Sequence, residues 1–403
     1  MENKNKPTFK LWEVIVLVIV SSLIMSSATG YMIFRSKGIE DCVQVASNPY
    51  IGELISSYNK LIDNFHLEID EADLVNAAIK GMIEHLGDPH SSFLNERETE
   101  SLLNSLSGTF KGIGISLTID EEEPTIIQVF EESPAERAGV LPGDIIRIVN
   151  EIEVQGKTSD EIVGIIRNSE DPNIKLIVER DYELIEFDLA KELIPIPQVH
   201  SQVFEKSNQR VGYLRIDTFS EIIGTQFQRR LNELESENID SLIIDLRNNT
   251  GGHLKGAVDI ASMFLQEGSV VYQLRVRGET TKEVVITEES RDYRIYILIN
   301  GMSASAAEIL AAALRESHHA EVLLIGEQSF GKGFIQTTAT LPNGSMFKYT
   351  NAEWLTPTGE VVEDRGLTPD IEIIFNDEHG RFPDAENDNQ LQAALTRIVE
   401  RRG

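Results

Sequence analysis

Between residues 191 and 374, apolar runs of strand length alternate with amphipathic stretches of helical period. That alternation restricts this part of the chain to a sheet covered by helices. Residues 211–216 and 241–246 read as strands, the second buried, and 219–235 reads as a helix with an apolar stripe. Gly251-Gly252 then turns the chain into a helix at 255–265. The runs 295–299 and 322–325 supply two more strands.

Two residues suited to chemistry stand at the ends of those last runs. Ser305 lies in Asn300-Gly301-Met302-Ser303-Ala304-Ser305-Ala306-Ala307-Glu308-Ile309, where a strand gives way to an alanine-rich helix. Lys332 lies in Gly326-Glu327-Gln328-Ser329-Phe330-Gly331-Lys332-Gly333-Phe334-Ile335-Gln336. A neutral lysine can take the proton of a serine hydroxyl, which makes a His–Asp pair unnecessary. Each residue also has an ordinary reading. Ser305-Ala306-Ala307-Glu308 fits a capping box, and on those residues alone that reading prevails. Gly331-Lys332-Gly333 fits a surface turn with a solvated amine. Catalysis requires the amine uncharged near neutral pH, which burial favours. Phe330 and Phe334 are the expected apolar wall. A helix N-terminus favours an oxyanion beside it, with the Ala306 N–H as the natural first donor.

The two segments resemble those of the carboxyl-terminal processing proteases, also called tail-specific proteases: a Ser-Ala-Ser-Ala-Ser-Glu-like stretch, then Phe-Gly-Lys-Gly-x-x-Gln. The resemblance implies Ser305 as nucleophile, Lys332 as base and Gln336 as its orienting partner. Ala307 stands where the family has a third serine, and the spacer is slightly longer, around His318-His319. Asp245-Leu246-Arg247-Asn248-Asn249-Thr250-Gly251-Gly252 is similar to the family's Leu-Arg-x-Asn-Pro-Gly-Gly turn, with Thr250 in place of the proline. By that resemblance the Gly252 N–H completes the oxyanion hole, with Gly251 as the reserve. Thr356-Pro357-Thr358-Gly359 and Gly366-Leu367-Thr368-Pro369-Asp370 also resemble family elements. The implied core is related to the crotonase-like αβ folds. No G-x-S-x-G elbow exists to pair with His253, His85 or His90.

Residues 108–190 change character, with short strands between turns. Gly112-Ile113-Gly114-Ile115, Ser133-Pro134-Ala135-Glu136-Arg137-Ala138-Gly139 and Leu141-Pro142-Gly143-Asp144 resemble a PDZ domain, in the right order. Such a domain holds a terminal carboxylate on successive backbone N–H groups and adds the peptide to an open strand edge. Gly112, Ile113, Gly114 and Ile115 form the expected carboxylate loop, with Ile113 and Ile115 lining a pocket for an apolar last residue. Arg180 is a candidate link between this domain and the core, or a surface charge.

Upstream, residues 50–106 read as helical. Ser57-Tyr58-Asn59-Lys60 matches S-x-x-K but lies in an ordinary amphipathic helix, without S-D-N or K-T-G partners. Residues 11–34 are nearly all apolar or small, with Glu13 the only charge. As a helix they would extend about 36 Å, enough to span a bilayer. Lys4, Lys6 and Lys10 place the N-terminus in the cytoplasm and the remainder outside it. The length favours an uncleaved anchor over a signal peptide, although Ser26-Ser27-Ala28 makes a weak cleavage pattern. The single cysteine, Cys42, cannot form an internal disulfide. No HExxH or cysteine cluster offers a metal site, and no cofactor is expected. The chain has 66 acidic against 36 basic side chains, a net charge of −30, which argues against nucleic acid as a partner.

The expected architecture is mixed α/β. It comprises a cytoplasmic tail (1–10), a transmembrane anchor (11–34), a helical region (35–107), a PDZ domain (108–190), a serine peptidase core (191–374) and a tail with a short helix (375–403). The expected function is membrane-anchored endoproteolysis by a Ser-Lys dyad. Its substrates are proteins with loosely folded C-termini, which the PDZ domain captures. The competing readings are a catalytically silent PDZ adaptor and a small-ester or amide hydrolase on the same fold. The sequence leaves open a homodimer through the terminal helices and control by an accessory activator.

Overall fold

The computed structural model describes residues 48–120, 122–287, 290–317, 320–376 and 387–400 of the 403. The predicted anchor, its flanking tail, Cys42 and His318-His319 lie outside the described residues. Among the described residues, no helix is long and apolar enough to cross a membrane. The chain divides into two compact units, Met1–Met82 and Ile83–Gly403.

The first unit holds α1 (Pro49–Asn64) and most of α2 (Glu71–His85). Pro49 occupies the first turn of α1, where its missing N–H costs nothing, and Asn48 caps the helix. Tyr58 donates to Glu71 Oε2 at 2.7 Å. Neither helix has a buried residue, and Leu54, Ile55, Leu61, Phe65, Val75 and Met82 are exposed.

In the second unit, β1 (Ser92–Leu94) and α3 (Glu96–Ser107) lead to β2 (Thr109–Gly112). The PDZ-like sheet uses β3 (Ile115–Asp120), β4 (Glu123–Val129), β5 (Ile145–Val149), β6 (Ile152–Glu153), β7 (Asn173–Arg180) and β8 (Glu183–Ala190). Its helices are α4 (Pro134–Ala138) and α5 (Ser159–Asn168). The order β3-β4-β5-β7-β8 leaves β3 as an edge strand. Ile162 and Ile166 of α5 share a core with Ile113, Ile126, Ile146, Leu176 and Val178, while Ile115 and Leu117 of β3 pack against it. β2 pairs with β9 (Glu192–Pro195), so a two-stranded ribbon carries the chain into and out of this domain.

Arg180 is neither a free surface charge nor a link to the core. Its guanidinium grips Asp144 with Nε at 2.6 Å and Nη2 at 2.7 Å, and Nη2 also donates to the Gly139 carbonyl at 2.9 Å. Asp144 is 1% exposed. The pair therefore locks the Gly139-to-Asp144 turn to the end of β7.

The core sheet contains β10 (Val199–Lys206), β11 (Gln209–Ile216), β12 (Ser241–Asp245), β15 (Ile295–Ile299), β16 (Val322–Gly326) and β19 (Ile371–Glu372), in that spatial order. β10 is antiparallel to β11 and the remaining pairs are parallel. Alternate side chains go to opposite faces, as strand geometry requires. Leu242, Ile244, Ile295, Ile297, Ile299 and Leu324 pack beneath α6 (Ile223–Ser236), α7 (Leu254–Ala261) and α8 (Ala306–Ser317). Ile243, Tyr296, Leu298 and Ile325 face α9 (Asn389–Glu400) through Leu391, Ala394, Leu395 and Ile398.

A second sheet, absent from the sequence reading, joins β1 to β18 (Met346–Leu355), β13 (Val270–Val276) and β14 (Glu279–Val284), with β17 (Phe334–Thr340) also on β18. The helical expectation for 50–106 also fails at β1, which pairs with Met346, Phe347 and Lys348.

The buried Asp144 makes Arg180→Ala costly, because the substitution strands a carboxylate inside the domain. We expect a loss of about 3 kcal/mol, read as a shift of the PDZ unfolding transition in denaturant titrations of the full-length protein. An unchanged midpoint would show the pair to be inert.

Candidate active site

Three loops at the carboxyl ends of neighbouring parallel strands meet at one place, where open α/β sheets bind their ligands. β12 leads into Leu246-to-Gly252, β15 into Asn300-to-Ser305 and β16 into Glu327-to-Gly333.

The first loop is a fixed turn. Asn249 is fully buried, donates to the Ile216 carbonyl at 2.8 Å and accepts the Gly251 N–H at 2.8 Å. Its carbonyl accepts from Ala304 N at 3.0 Å, which ties this turn to the second loop. Asn248 and Asn300 exchange a further pair of bonds, at 3.0 and 2.9 Å. A Cβ on Gly251 would stand 2.7 Å from Ala304 O and 2.8 Å from Ser305 Cβ, so only glycine admits this approach. Gly252 runs against Phe219 in a bridge. Among the described residues, the Gly252 and Ala306 N–H groups have no protein acceptor, whereas that of Gly251 is committed to Asn249.

Beneath the first loop, Arg247 bonds Asp245 and Asp388 with Nη2, at 2.6 and 2.7 Å. Burial alone would lower its pKa, but the two carboxylates outweigh that and raise it. Asp388 also accepts from Leu391 N at the start of α9. The network therefore fastens the C-terminal helix to the turn.

Ser305 has φ +55°, a conformation that a side chain adopts only when its surroundings impose it. The expected capping box is half present. Ser305 N–H donates to Glu308 Oε2 at 2.8 Å, but the Ser305 hydroxyl makes no hydrogen bond among the described residues. The left-handed backbone explains this, because an N-cap hydroxyl reaches the helix from extended backbone. Ser305 is partly exposed above a helix whose first nine residues, Ala306 to Leu314, are buried.

Lys332 is half-buried. Burial lowers the pKa of its amine, Lys348 lowers it further, and Glu363 and Glu308 oppose the shift. Phe330 is 58% exposed and is not the expected wall. The loop is instead pinned by Trp354, fully buried, whose indole N–H donates to the Lys332 carbonyl at 2.8 Å. Glu363 accepts the Gly333 N–H at 2.6 Å and lies 3.9 Å from His90 Nε2. His90 follows Asp88. Burial alone would raise the Asp88 pKa, but hydrogen bonds from the Ser91 hydroxyl and His90 N–H help to outweigh it and hold the carboxyl at about 2.

The residue whose role sequence reasoning saw only in part is Glu308. Read as a cap, it is 1% exposed and accepts four bonds. Oε2 takes Ser305 N–H and Lys332 N–H at 2.8 and 3.0 Å; Oε1 takes Ser329 Oγ–H and Gly331 N–H at 2.6 and 2.8 Å. One carboxylate thus joins the serine and lysine loops. The available signal was an acid inside the otherwise apolar run from Ala306 to Leu314, which must be paired if it is buried.

Gln336 sits on β17 and donates its amide to the Phe334 carbonyl at 3.2 Å. Among the described residues, no hydrogen bond joins it to Lys332, or Lys332 Nζ to Ser305 Oγ. In the PDZ-like domain the backbone at Ile113 and Gly114 is held through their carbonyls, by Ala135 N at 2.9 Å and Phe130 N at 3.0 Å. Gly112 and Gly114 are buried, and Ile115 is partly exposed. Ile113 is 2% exposed and belongs to the core rather than to a pocket. His253 Nδ1 is buried and, among the described residues, has no hydrogen-bond partner. No cluster of metal-ligating side chains occurs among the described residues.

Family models agree with this layout. Peptidase family S41 matches residues 210–373, a PDZ domain matches 125–180, and the activating protease CtpB N-terminal domain matches 40–99. The chain is 32% identical over 372 residues to a probable CtpA-like serine protease of Staphylococcus aureus (strain N315), covering 90% of this chain and 73% of that protein. It is 30% identical over 383 residues to the carboxy-terminal processing protease CtpA of Bacillus subtilis (strain 168), covering 94% and 81%. Among solved structures it resembles the photosystem II D1 C-terminal processing protease, with a TM-score of 0.50 and 25% identity, covering 86% of this chain and 90% of that one.

The contact at Gly251 yields a test. Gly251→Ala pushes a methyl group into Ala304 and Ser305, and a displacement near 1 Å costs about 100-fold in rate. We expect the fall in kcat, with KM little changed, in steady-state proteolysis assays.

Proposed function

The chain belongs to the carboxy-terminal processing proteases of peptidase family S41, and on that premise we propose that Ser305 and Lys332 are the working dyad of this serine peptidase. One observation carries the proposal: Glu308 Oε2 accepts from both Ser305 N–H and Lys332 N–H, which holds the two main chains one atom apart. The strained, partly exposed Ser305 and the lowered lysine pKa agree with it.

In the proposed reaction, neutral Lys332 Nζ takes the Ser305 hydroxyl proton as Oγ attacks the scissile carbonyl carbon. The oxyanion accepts from the Gly252 and Ala306 N–H groups. Collapse breaks the C–N bond, and the Lys332 ammonium protonates the departing amine. Lys332 then takes a proton from water, which attacks the acyl-enzyme; the carboxylate product leaves and Ser305 regains its proton. The Ser305–Lys332 hydrogen bond forms when substrate excludes water, as catalytic hydrogen bonds close in the substrate complex. Gln336 would have to release Phe334 to orient the lysine.

The PDZ domain supplies the substrate preference in this reading. The free edge of β3 accepts the tail as an added strand, and the Gly112-to-Ile115 backbone takes its carboxylate. Substrates are proteins with loosely folded C-termini. The apolar run at 11–34, led by lysines, supports anchoring in the cell membrane with the peptidase outside the cytoplasm. The exposed apolar side chains of α1 and α2 support pairing with a second copy.

Full-length protein is incubated with an unfolded substrate ending in an apolar or a charged tail, and the fragments are followed by mass spectrometry. Wild type cleaves the apolar-tailed substrate faster; Ser305→Ala and Lys332→Ala each lose about 10⁴-fold or more. Cleavage by the Ser305 variant at the wild-type rate would end the proposal. The base acts uncharged, so kcat rises with pH through the Lys332 pKa. That pKa lies below the ordinary lysine value near 10.4.

A further inference from the structure

Glu308 has no part in the bond-making steps above, yet it is the most heavily engaged side chain between the two loops. It starts from α8, within a stretch of buried alanine, isoleucine and leucine. Nothing apolar packing requires would place a carboxylate there, because an ion taken from water must recover its hydration in hydrogen bonds. Its four donors all belong to the reacting loops: the nucleophile's own N–H, the base's own N–H, and Ser329 and Gly331 just ahead of the base. Ser329 is itself buried, and its Oγ accepts the Leu367 N–H at 2.6 Å while donating to Glu308.

We propose that Glu308 is the positioning residue of this peptidase, a single buried carboxylate that fixes the separation of the Ser305 and Lys332 main chains and sets its negative charge between the two loops. The geometry gives it two effects. Both oxygens are acceptors for two donors each, so the site requires a carboxylate; an amide would turn an NH₂ toward N–H groups. The negative charge also favours the Lys332 ammonium. The groups that face that amine are Lys348 from β18, Glu363 from the loop before Gly366, and Glu308 from α8, with His90 beyond Glu363. Lys348 favours the neutral amine, whereas Glu308 and Glu363 favour the charged one. Removing the Glu308 charge while keeping the fold therefore moves the lysine pKa further down.

This inference rests on the Ser-Lys reading, and the experiment separates the two. Full-length wild type, Ser305→Ala, Glu308→Gln, Glu308→Asp and Ser329→Ala are assayed on casein across pH, with thermal unfolding as the folding control. Glu308→Gln should lose about 100-fold in kcat at unchanged KM, and the acid limb of its residual kcat profile should lie at lower pH than in wild type. Glu308→Asp keeps the charge and should recover part of the rate, with the acid limb closer to the wild-type position. Ser329→Ala removes one donor without touching either dyad residue, and should lower kcat about 10-fold, again at constant KM. A folded Glu308→Gln protein with wild-type kcat overturns the proposal. A slowed one whose acid limb has not moved does so too, since a merely structural role predicts that result. Should Glu308→Gln fail to fold, Ser329→Ala with a wild-type kcat overturns it. An active Ser305→Ala would instead remove the Ser-Lys reading on which the inference stands.

Discussion

Asp245, Leu298 and Ile325 lie side by side across three parallel strands, and this register decides where the three loops of the site begin. A parallel sheet delivers all its carboxyl ends to one edge, so the Gly251 turn, Ser305 and Lys332 converge although about eighty residues separate the first from the last. A slip of one residue in β15 would exchange the faces of Ile297 and Leu298, breaking both hydrophobic layers at once. The cores on either side of the sheet therefore hold the site in register.

Within that frame the local forces run against ordinary stability. Ser305 sits in a left-handed conformation, Gly251 admits a contact that any side chain would block, and Glu308 is charged among alanines. Burial raises the Glu308 pKa despite four hydrogen bonds. The sign follows: a carboxyl with a raised folded pKa is favoured in the fold when protonated, and that advantage is lost as pH rises through it. The native state at neutral pH accordingly bears a cost here, offset by the packed sheet, as at other functional sites. The Asp245–Arg247–Asp388 network is the complementary case. Its paired charges couple the C-terminal helix to the Gly-Gly turn, so the far end of the chain helps to hold that turn.

Much of this was legible in the sequence. The buried strands of the core are continuous apolar runs, and Ser305 and Lys332 stand at the ends of two of them. The second sheet was not legible, because β14 is exposed throughout and β17 and β18 carry polar residues on both faces. Such strands are set by pairing with their neighbours rather than by periodicity. Glu308 was half hidden by its spacing, which marks the cap bond to the Ser305 N–H but not the bridge to the lysine loop. Arg180 was hidden because its partner Asp144 is distant in sequence. Ile113 alternates with Gly112 and Gly114 in a pattern that cannot tell a pocket from a core. Gln336 follows an irregularity of register between Ile335 and Gln336, which local sequence does not mark.

The account turns on Ser305 being the nucleophile and Lys332 its neutral base. The most direct measurement is the rate at which a fluorophosphonate labels the full-length protein as a function of pH, with the modified residue located by peptide mapping. The account predicts a single adduct on Ser305, formed at a rate that follows one ionisation below the ordinary lysine range and abolished by Lys332→Ala. An adduct on another residue, or labelling of Ser305 that is indifferent to Lys332, would contradict it.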